Sequence, residues 1–416
     1  MTTTVPPRPG LDAAIVRSAR RILSDVEHCT DPVATARLLP REVYTSREFW
    51  EFEKHAVFHR EWLCIGHVAE VPAPGDQLAL TVAGEPLVML RDNSGELRVL
   101  SAVCQHRGHP LFAGVAPVQE DTGCLARGRR MVCPYHNWQY ELDGRLVAAP
   151  SMTETVPVKR LRETVRLPGI RTEIFHGLVF VNFDDDAAPL APTLAALDEE
   201  LHTWGLENLV PMPWDLRTGL AWNWKLHHDN ALEPYHTAYV HRGVHEAAPA
   251  KNARFGEWHP GDGQVMHPTY LTSENASLTS TDGSRTSLII SGLTDEQRRR
   301  VMFASVPPTL FGIFQPSMVS LSLLLPTGPA SMDLRRVNLY PKDAVEAPDF
   351  EEVYRLYLER KAVAIDQDAR TTEALQRGYT SRYAPRGPLS WMEGNIPHLN
   401  AWLLERYARA LKEAEA

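Results

Sequence analysis

Two short segments, Cys104-Gln-His106 and Cys133-Pro-Tyr-His136, each put a thiolate and an imidazole within reach of one metal. Each follows a run that reads as a strand, so the loops bearing them can be aimed at a common point. Two Cys and two His suit either a structural zinc or an iron–sulfur centre. Zinc sites usually open with a Cys-x2-4-Cys knuckle, whereas here every Cys is matched with a His. Centres with two Cys on one iron and two His on the other have that pairing.

The surrounding texture is β-rich. Trp62–Val68, Leu78–Val82, Pro86–Leu90 and Leu97–Val103 are short apolar runs separated by Pro-Gly-Asp, Gly-Glu and Asn-Ser-Gly turns. Gln139–Leu142, Asp143-Gly144 and Arg145–Val147 have the form of a tight hairpin. Leu11–Leu23 and Glu48–His59 read as helices. Past about residue 165 the pattern mixes: a strand at Gly177–Phe183, a helix at Leu194–Trp204 capped by Thr193, and a helix over 220–240. Residues 267–292, rich in Ser and Thr, predict a mobile loop. Val319–Leu325 and Met332–Tyr340 form a hairpin. A long helix then starts at Asp349, with Asp349 and Glu352 in capping-box positions, and stops before Gly378. The class is α+β: a small antiparallel β domain inserted before a larger mixed domain with an antiparallel sheet. The expected division is 1–60, a helical segment packing on the larger domain; 61–165; and 166–416.

Composition removes several alternatives. The formal net charge is −9 and no Lys/Arg block stands out, which gives no support to a nucleic-acid or membrane-surface partner. Met1–Gly10 is Thr/Pro-rich, lacks the order of a signal peptide, and no apolar run is long enough to span a bilayer, so the chain reads as cytoplasmic. Five cysteines in such a chain argue against a disulfide framework, and Cys29, Cys64 and Cys124 read as ordinary reduced cysteines. His109 reads as a supporting or surface residue rather than a ligand.

A second constellation lies in Asn223–His241, where Asp229, Asn230, Glu233, His236 and His241 crowd one predicted helix. Two His and one carboxylate, with coordination positions left open, is the ligand set of non-haem Fe(II) oxygenases. Periodicity alone does not choose the histidines. His236 and His241 fall about 140° apart on a straight helix. His241 and His245 are i and i+4, yet Pro234 can distort the helix just before His236. His227 and His228 read as exposed or structural. For a carboxylate, the helix from Asp349 offers Asp366, Asp368 and Glu373. Asp368 lies with Phe350, Val353, Tyr357, Lys361 and Ala364 on one stripe, and a buried acid there needs a partner such as a metal.

Cys104-Gln-His106-Arg-Gly108 and Cys133-Pro-Tyr-His136-Asn-Trp138 together resemble the two cluster loops of the Rieske non-haem iron, aromatic-ring-hydroxylating oxygenases. Asp229-Asn230, Glu233, His236 and His241 are similar to the catalytic stretch of that family, and Gln367-Asp368 with Gln376-Arg-Gly378 to its third-ligand segment. The resemblance covers nearly the whole chain, from Pro40–Ser46 and Phe58–Leu63 onward. The 26 residues between His106 and Cys133, with Arg127, Arg129 and Arg130 among them, exceed the usual length. That small charge run reads as a solvated loop, with docking of an acidic donor as the alternative.

The resemblance implies a [2Fe–2S] Rieske cluster on Cys104, His106, Cys133 and His136, and a mononuclear Fe(II) on His236, His241 and Asp368. It implies that O2 is co-substrate with a small organic molecule, and that Asp229, Asn230 and Glu233 serve catalysis. Glu233 would bridge to a neighbouring chain's cluster histidine in a head-to-tail homotrimer. No Gly-rich dinucleotide fingerprint follows a predicted strand, so NAD(P)H would act only indirectly, through a flavin reductase, a ferredoxin or both. A pure electron carrier or a zinc-stabilised binding module are the competing classes.

Overall fold

The computed structural model describes residues 11–112, 125–278 and 288–415. They form two compact units: Arg60–Ala187 with Pro213–Leu216, and Leu11–His59 with Ala188–Met212 and Arg217 onward. Cys124 and residues 279–287 lie outside the described residues.

The first unit is built from short antiparallel strands. Asp76–Val82 and Glu85–Arg91 join through Ala83 and Gly84, both at positive φ (52° and 87°), the backbone of a two-residue hairpin turn. With Leu97–Ser101 and Leu125–Arg127 on either side they make a four-stranded sheet. Arg130–Val132, Gln139–Glu141 and Leu146–Ala148 make a second sheet of three. Leu63–His67 pairs with the later strand Leu178–Asn182, and Arg171–Phe175 completes that third sheet. Arg127 and Arg130 thus belong to strands rather than a solvated loop. Each is held by an acid, Arg127 by Asp76 at 2.7 Å and Arg130 by Glu141 at 3.4 Å.

The second unit centres on an antiparallel sheet of seven strands. Six of them run in the order Val210–Pro211, Ser331–Tyr340, Met318–Gly328, Leu310–Gln315, Arg300–Val306 and Val265–Tyr270, and the seventh, Asp215–Leu220, pairs with Ser331–Tyr340 off that path. The helix Phe350–Tyr379 packs Phe350 and Tyr357 against Met318 and Tyr340 at one end of it. A shorter helix, Trp224–Leu232, is anchored by a buried charge pair. Lys225 Nζ lies 2.8 Å and 2.9 Å from the two carboxylate oxygens of Glu53, which also accepts from Trp224 Nε1 and Tyr407 Oη. Removing one member of so buried a pair costs about 3–5 kcal/mol, because the other charge is left uncompensated. Among the described residues no helix is long and apolar enough to cross a membrane.

Several expectations need correction. Residues 267–270 are strand, not loop: His267 and Thr269 are buried on one face while Met266, Pro268 and Tyr270 alternate with them. Thr193 does not cap its helix. Its hydroxyl donates to Leu190 O, and a 3-10 turn, Ala191–Leu194, precedes the helix Ala195–Leu201. Asp349 is the N-cap of the long helix but makes no side-chain capping bond, and that helix runs on through Gly378. The expected helix over 220–240 is broken at Glu233 and Pro234, with important consequences.

Candidate metal centres

The two cluster loops of the first unit share one backbone frame. In the first, Cys104 N–H donates to His109 O (2.9 Å) and Gly108 N–H to Cys104 O (3.0 Å). In the second, Cys133 N–H donates to Trp138 O (2.8 Å) and Asn137 N–H to Cys133 O (3.0 Å). The residue four past each Cys takes positive φ, 73° at Gly108 and 59° at Asn137, residue types that tolerate the left-handed region. Both cysteines are 2% exposed and reduced. His106 and His136 are half-buried, their rings 4.7 Å apart, and His106 stacks on Trp138 at 4.6 Å. Tyr140 Oη lies 3.3 Å from Cys104 Sγ and accepts from Gln105 N–H at 3.0 Å.

This donor set fits a Rieske cluster. Burial pushes the Cys104 thiol up, against the opposing pull of the Tyr140 hydroxyl, so ionisation there calls for a metal. His106 Nδ1 is buried with no hydrogen-bond partner, a polar atom that a metal would satisfy.

In the second unit, the helix Trp224–Leu232 stops with Glu233 in extended conformation (φ −118°, ψ 123°). A single turn, Thr237–Val240, then has His236 and His241 as its two caps. That break answers the 140° problem: the histidines face each other across one turn, with Nε2 atoms 3.2 Å apart. Asp368 Oδ1, from the long helix, lies 2.9 Å from His241 Nε2 and 3.5 Å from His236 Nε2. Among the described residues these three make the one group of His, Cys, Asp and Glu whose donor atoms all lie within 4.8 Å of one another.

The outer nitrogens set the tautomers. His236 Nδ1 lies 2.7 Å from Glu233 Oε1, and a carboxylate can only accept, so that nitrogen carries the proton. Glu233 Oε2 accepts His236 N–H as well, at 3.0 Å. His241 Nδ1 meets Gln367 Oε1 at 2.9 Å. Two imidazole lone pairs and a carboxylate oxygen therefore converge, and Asp368 Oδ1 is buried without a hydrogen-bond donor. Three donor atoms so placed can hold a cation, and the set suits mononuclear iron. Burial opposes charge on His236, but the hydrogen bond and charge of Glu233 outweigh it and raise its pKa.

The other candidates fall elsewhere. Asp366 is 59% exposed and pairs with Arg217 at 3.3 Å, and Glu373 faces Arg377. His245 stacks on His241 at 5.3 Å, outside the three-residue group. His228 is buried between Ser305 Oγ (2.9 Å) and Pro308 O (3.0 Å), while His227 lines the adjacent cavity with Asn230 and Glu233. Asp229 Oδ2 accepts from Tyr44 Oη at 3.2 Å, and burial pushes its carboxyl up to about 7. Sequence reasoning assigned no role to Gln367 or Tyr140. Their only signal was position: Gln367 precedes Asp368, and Tyr140 lies seven past Cys133 on the same hairpin.

Residues 198–409 match the family model described as ring hydroxylating alpha subunit (catalytic domain), and 61–165 the one described as Rieske [2Fe-2S] domain. The carnitine monooxygenase oxygenase subunit of Acinetobacter baumannii is 30% identical over 218 residues, 52% of this chain and 56% of that one. The alpha subunit of 2-aminobenzenesulfonate 2,3-dioxygenase from Alcaligenes sp is 32% identical over 206 residues, 49% of this chain and 50% of that one. The chain thus spans about half the length of the curated relatives it matches. Among solved structures, a quaternary ammonium Rieske monooxygenase aligns with TM-score 0.74 at 22% identity, covering 92% of this chain and 98% of that one. Naphthalene 1,2-dioxygenase from Rhodococcus sp. aligns with TM-score 0.73 at 19% identity, covering 95% and 99%.

Proposed function

Because this chain belongs to the ring-hydroxylating oxygenase alpha subunits, which carry a Rieske domain, we propose that it inserts oxygen from O2 into a small organic substrate. The observation that carries this reading is the convergence of His236, His241 and Asp368 on one point at the wall of a cavity. Cys104, His106, Cys133 and His136 would hold the cluster, and those three residues the iron. When bound, the cluster supplies single electrons and the iron supplies O2 activation. The reading covers hydroxylation, dihydroxylation and oxidative demethylation. It assigns 61–165 to the cluster domain, 166–416 to the catalytic domain, and 1–60 to a helical segment on the latter.

The chain's own residues do the positioning. Glu233 and Gln367 hold the two imidazoles in the tautomers that turn Nε2 inward. Apolar side chains of the cavity, such as Phe303 and Ile313, keep bulk water from the reacting carbon. Asp229, whose carboxyl burial pushes up to about 7, accepts a hydrogen bond from Tyr44 Oη and would exchange a proton near neutral pH. Electrons would come from a separate flavin reductase, a ferredoxin or both. The assembly would be a homotrimer in which Glu233 also accepts a hydrogen bond from a neighbour's cluster imidazole.

Composition and turnover test the reading together. Purified protein should be brown, contain acid-labile sulfide and carry about three irons per chain, two in the cluster and one at the facial triad. With a reductase and a substrate it should consume O2. Zinc in place of iron would leave a binding module. Two irons per chain with no substrate-dependent O2 uptake would leave an electron carrier.

A further inference from the structure

The cavity beside the triad has one face of the seven-stranded sheet as a wall. Side chains on a strand alternate between faces, so pairing register decides which residues share the wall. His267, Phe303 and Ile313 stand opposite one another on three adjacent strands. Thr269 lies two residues past His267, and Gln315 two past Ile313, so both face the same way. All five line the cavity. The three polar members are almost wholly buried, His267 and Thr269 at 1% exposure and Gln315 at 4%.

Each of the three brings a hydrogen-bonding atom that the fold does not use. Thr269 Oγ1 and Gln315 Oε1 are buried with no hydrogen-bond partner. For His267 the tautomer follows from its neighbour. Asn395 Nδ2 lies 3.0 Å from His267 Nδ1, and an amide nitrogen can only donate, so Nδ1 carries the lone pair. The other end of that amide agrees, since Asn395 Oδ1 lies 3.3 Å from His398 Nδ1 and accepts its proton. The His267 ring packs on Phe255 and Phe303, each 5.2 Å away, and burial pushes its pKa down to about 3. A neutral imidazole whose Nδ1 accepts has its one proton on Nε2. His267 therefore brings an uncharged N–H to the wall.

A buried polar atom without a partner is destabilising, so a cavity wall that keeps two of them points to a ligand that supplies what they lack. Gln315 Oε1 calls for a donor and His267 Nε2–H for an acceptor, while the Thr269 hydroxyl serves as either. A ketone or a carboxylate accepts but has no proton to give. The complement of this trio is a neutral group that accepts and donates at once.

We propose that His267, Thr269 and Gln315 form the polar subsite of the cavity and take an uncharged donor–acceptor group of the substrate, a carboxamide or a hydroxyl, with its apolar body against Phe303 and Ile313. The assignment names a substrate class for the oxygenase site and rests on that reading of it.

Calorimetric titration with four probes of one shape tests it: benzamide, 1-phenylethanol, acetophenone and benzoate. Benzamide or 1-phenylethanol should bind about tenfold more tightly than acetophenone, the gain of one donated hydrogen bond, and benzoate should bind weakest. Either of the first two supports the proposal, and their order names the group. Gln315→Met should erase that advantage, whereas His267→Phe should weaken all three neutral probes alike. Thr269→Val and Gln315→Met each remove an unpartnered polar atom, so neither should lower the melting temperature of the ligand-free protein. That readout separates a binding side chain from a structural one. Acetophenone or benzoate binding as tightly as the better of the other two, or no binding of benzamide and 1-phenylethanol, overturns the proposal on the unaltered protein. Persistence of the full advantage in Gln315→Met overturns it too, as does a lowered melting temperature in both Thr269→Val and Gln315→Met. Three irons per chain without this preference would sink the assignment alone, whereas the preference without mononuclear iron would sink the oxygenase reading alone.

Discussion

The two Cys-His loops and the proposed triad would solve the same problem, gathering metal donors, over different distances along the chain. Each cluster loop carries its Cys and its His within four residues, and the same pair of backbone hydrogen bonds closes both loops. Its geometry needs little beyond a residue that accepts positive φ, Gly108 in one and Asn137 in the other. The triad takes two donors from the ends of one helical turn and the third from a helix far downstream. Its convergence depends on packing, including the buried Glu53–Lys225 pair that anchors the helix leading into Glu233. Local frames make all-or-none ligands, whereas a site assembled from distant elements can also be loosened by degrees through its supports.

The largest effects should separate the two regions outright. Cys104→Ala should remove brown colour, sulfide, two irons and all turnover, since metal binding and folding of the loop are coupled. His236→Ala or Asp368→Ala should keep the colour, lose the third iron and lose turnover, while Asp366→Ala, altered at the surface, should change neither. Sulfide surviving in Cys104→Ala, or a dead Asp366→Ala beside an active Asp368→Ala, would break the comparison.

A partial effect should follow when the regions are supplied by different chains. Cys104→Ala and His236→Ala are each inactive, yet co-expressed they should form mixed trimers that regain part of the activity. Adding Glu233→Ala to the Cys104→Ala chain should remove it again. Mixed trimers that form and stay inactive would place electron delivery within one chain.

The smallest of these effects concerns support alone. Gln367→Leu removes the acceptor of His241 Nδ1 and leaves every donor in place. Iron affinity at the triad should fall about 10–100-fold, as for other outer-shell partners, with the cluster spectrum unchanged. Titration of iron into metal-free protein reads this directly, and an unaltered affinity would mean that packing orients His241 without Gln367.

The contrast also explains what could be read from residue order. The cluster loops are legible because their information is contiguous, down to the Gly108 position. Helical phase separates Asp368 from Asp366 and Glu373, and in the structure Asp366 is at the surface with Arg217 while Asp368 faces His241. The facing of His236 and His241 was not derivable from a straight helix. It depends on the chain leaving the helix at Glu233 and re-entering it for one turn. Residues 267–270 read as loop because the polar members, His267 and Thr269, turn into the sheet's buried cavity face rather than to solvent. Thr193 and Asp349 had the right side chains for caps, but Thr193 spends its hydroxyl on Leu190 O and Asp349 makes no capping bond.

The alternation along the sheet divides labour between neighbours. Ala304, Phe314, Leu321 and Val337 point away from the cavity into the hydrophobic interior, and each is at most 3% exposed. Phe303, Ile313, Ser320 and Arg336, one residue along or back, meet whatever enters. Selectivity and foldedness are therefore written in interleaved letters of the same strands. A combinatorial library confined to the cavity-facing letters could explore new substrates while each strand keeps the letters that hold it in the sheet.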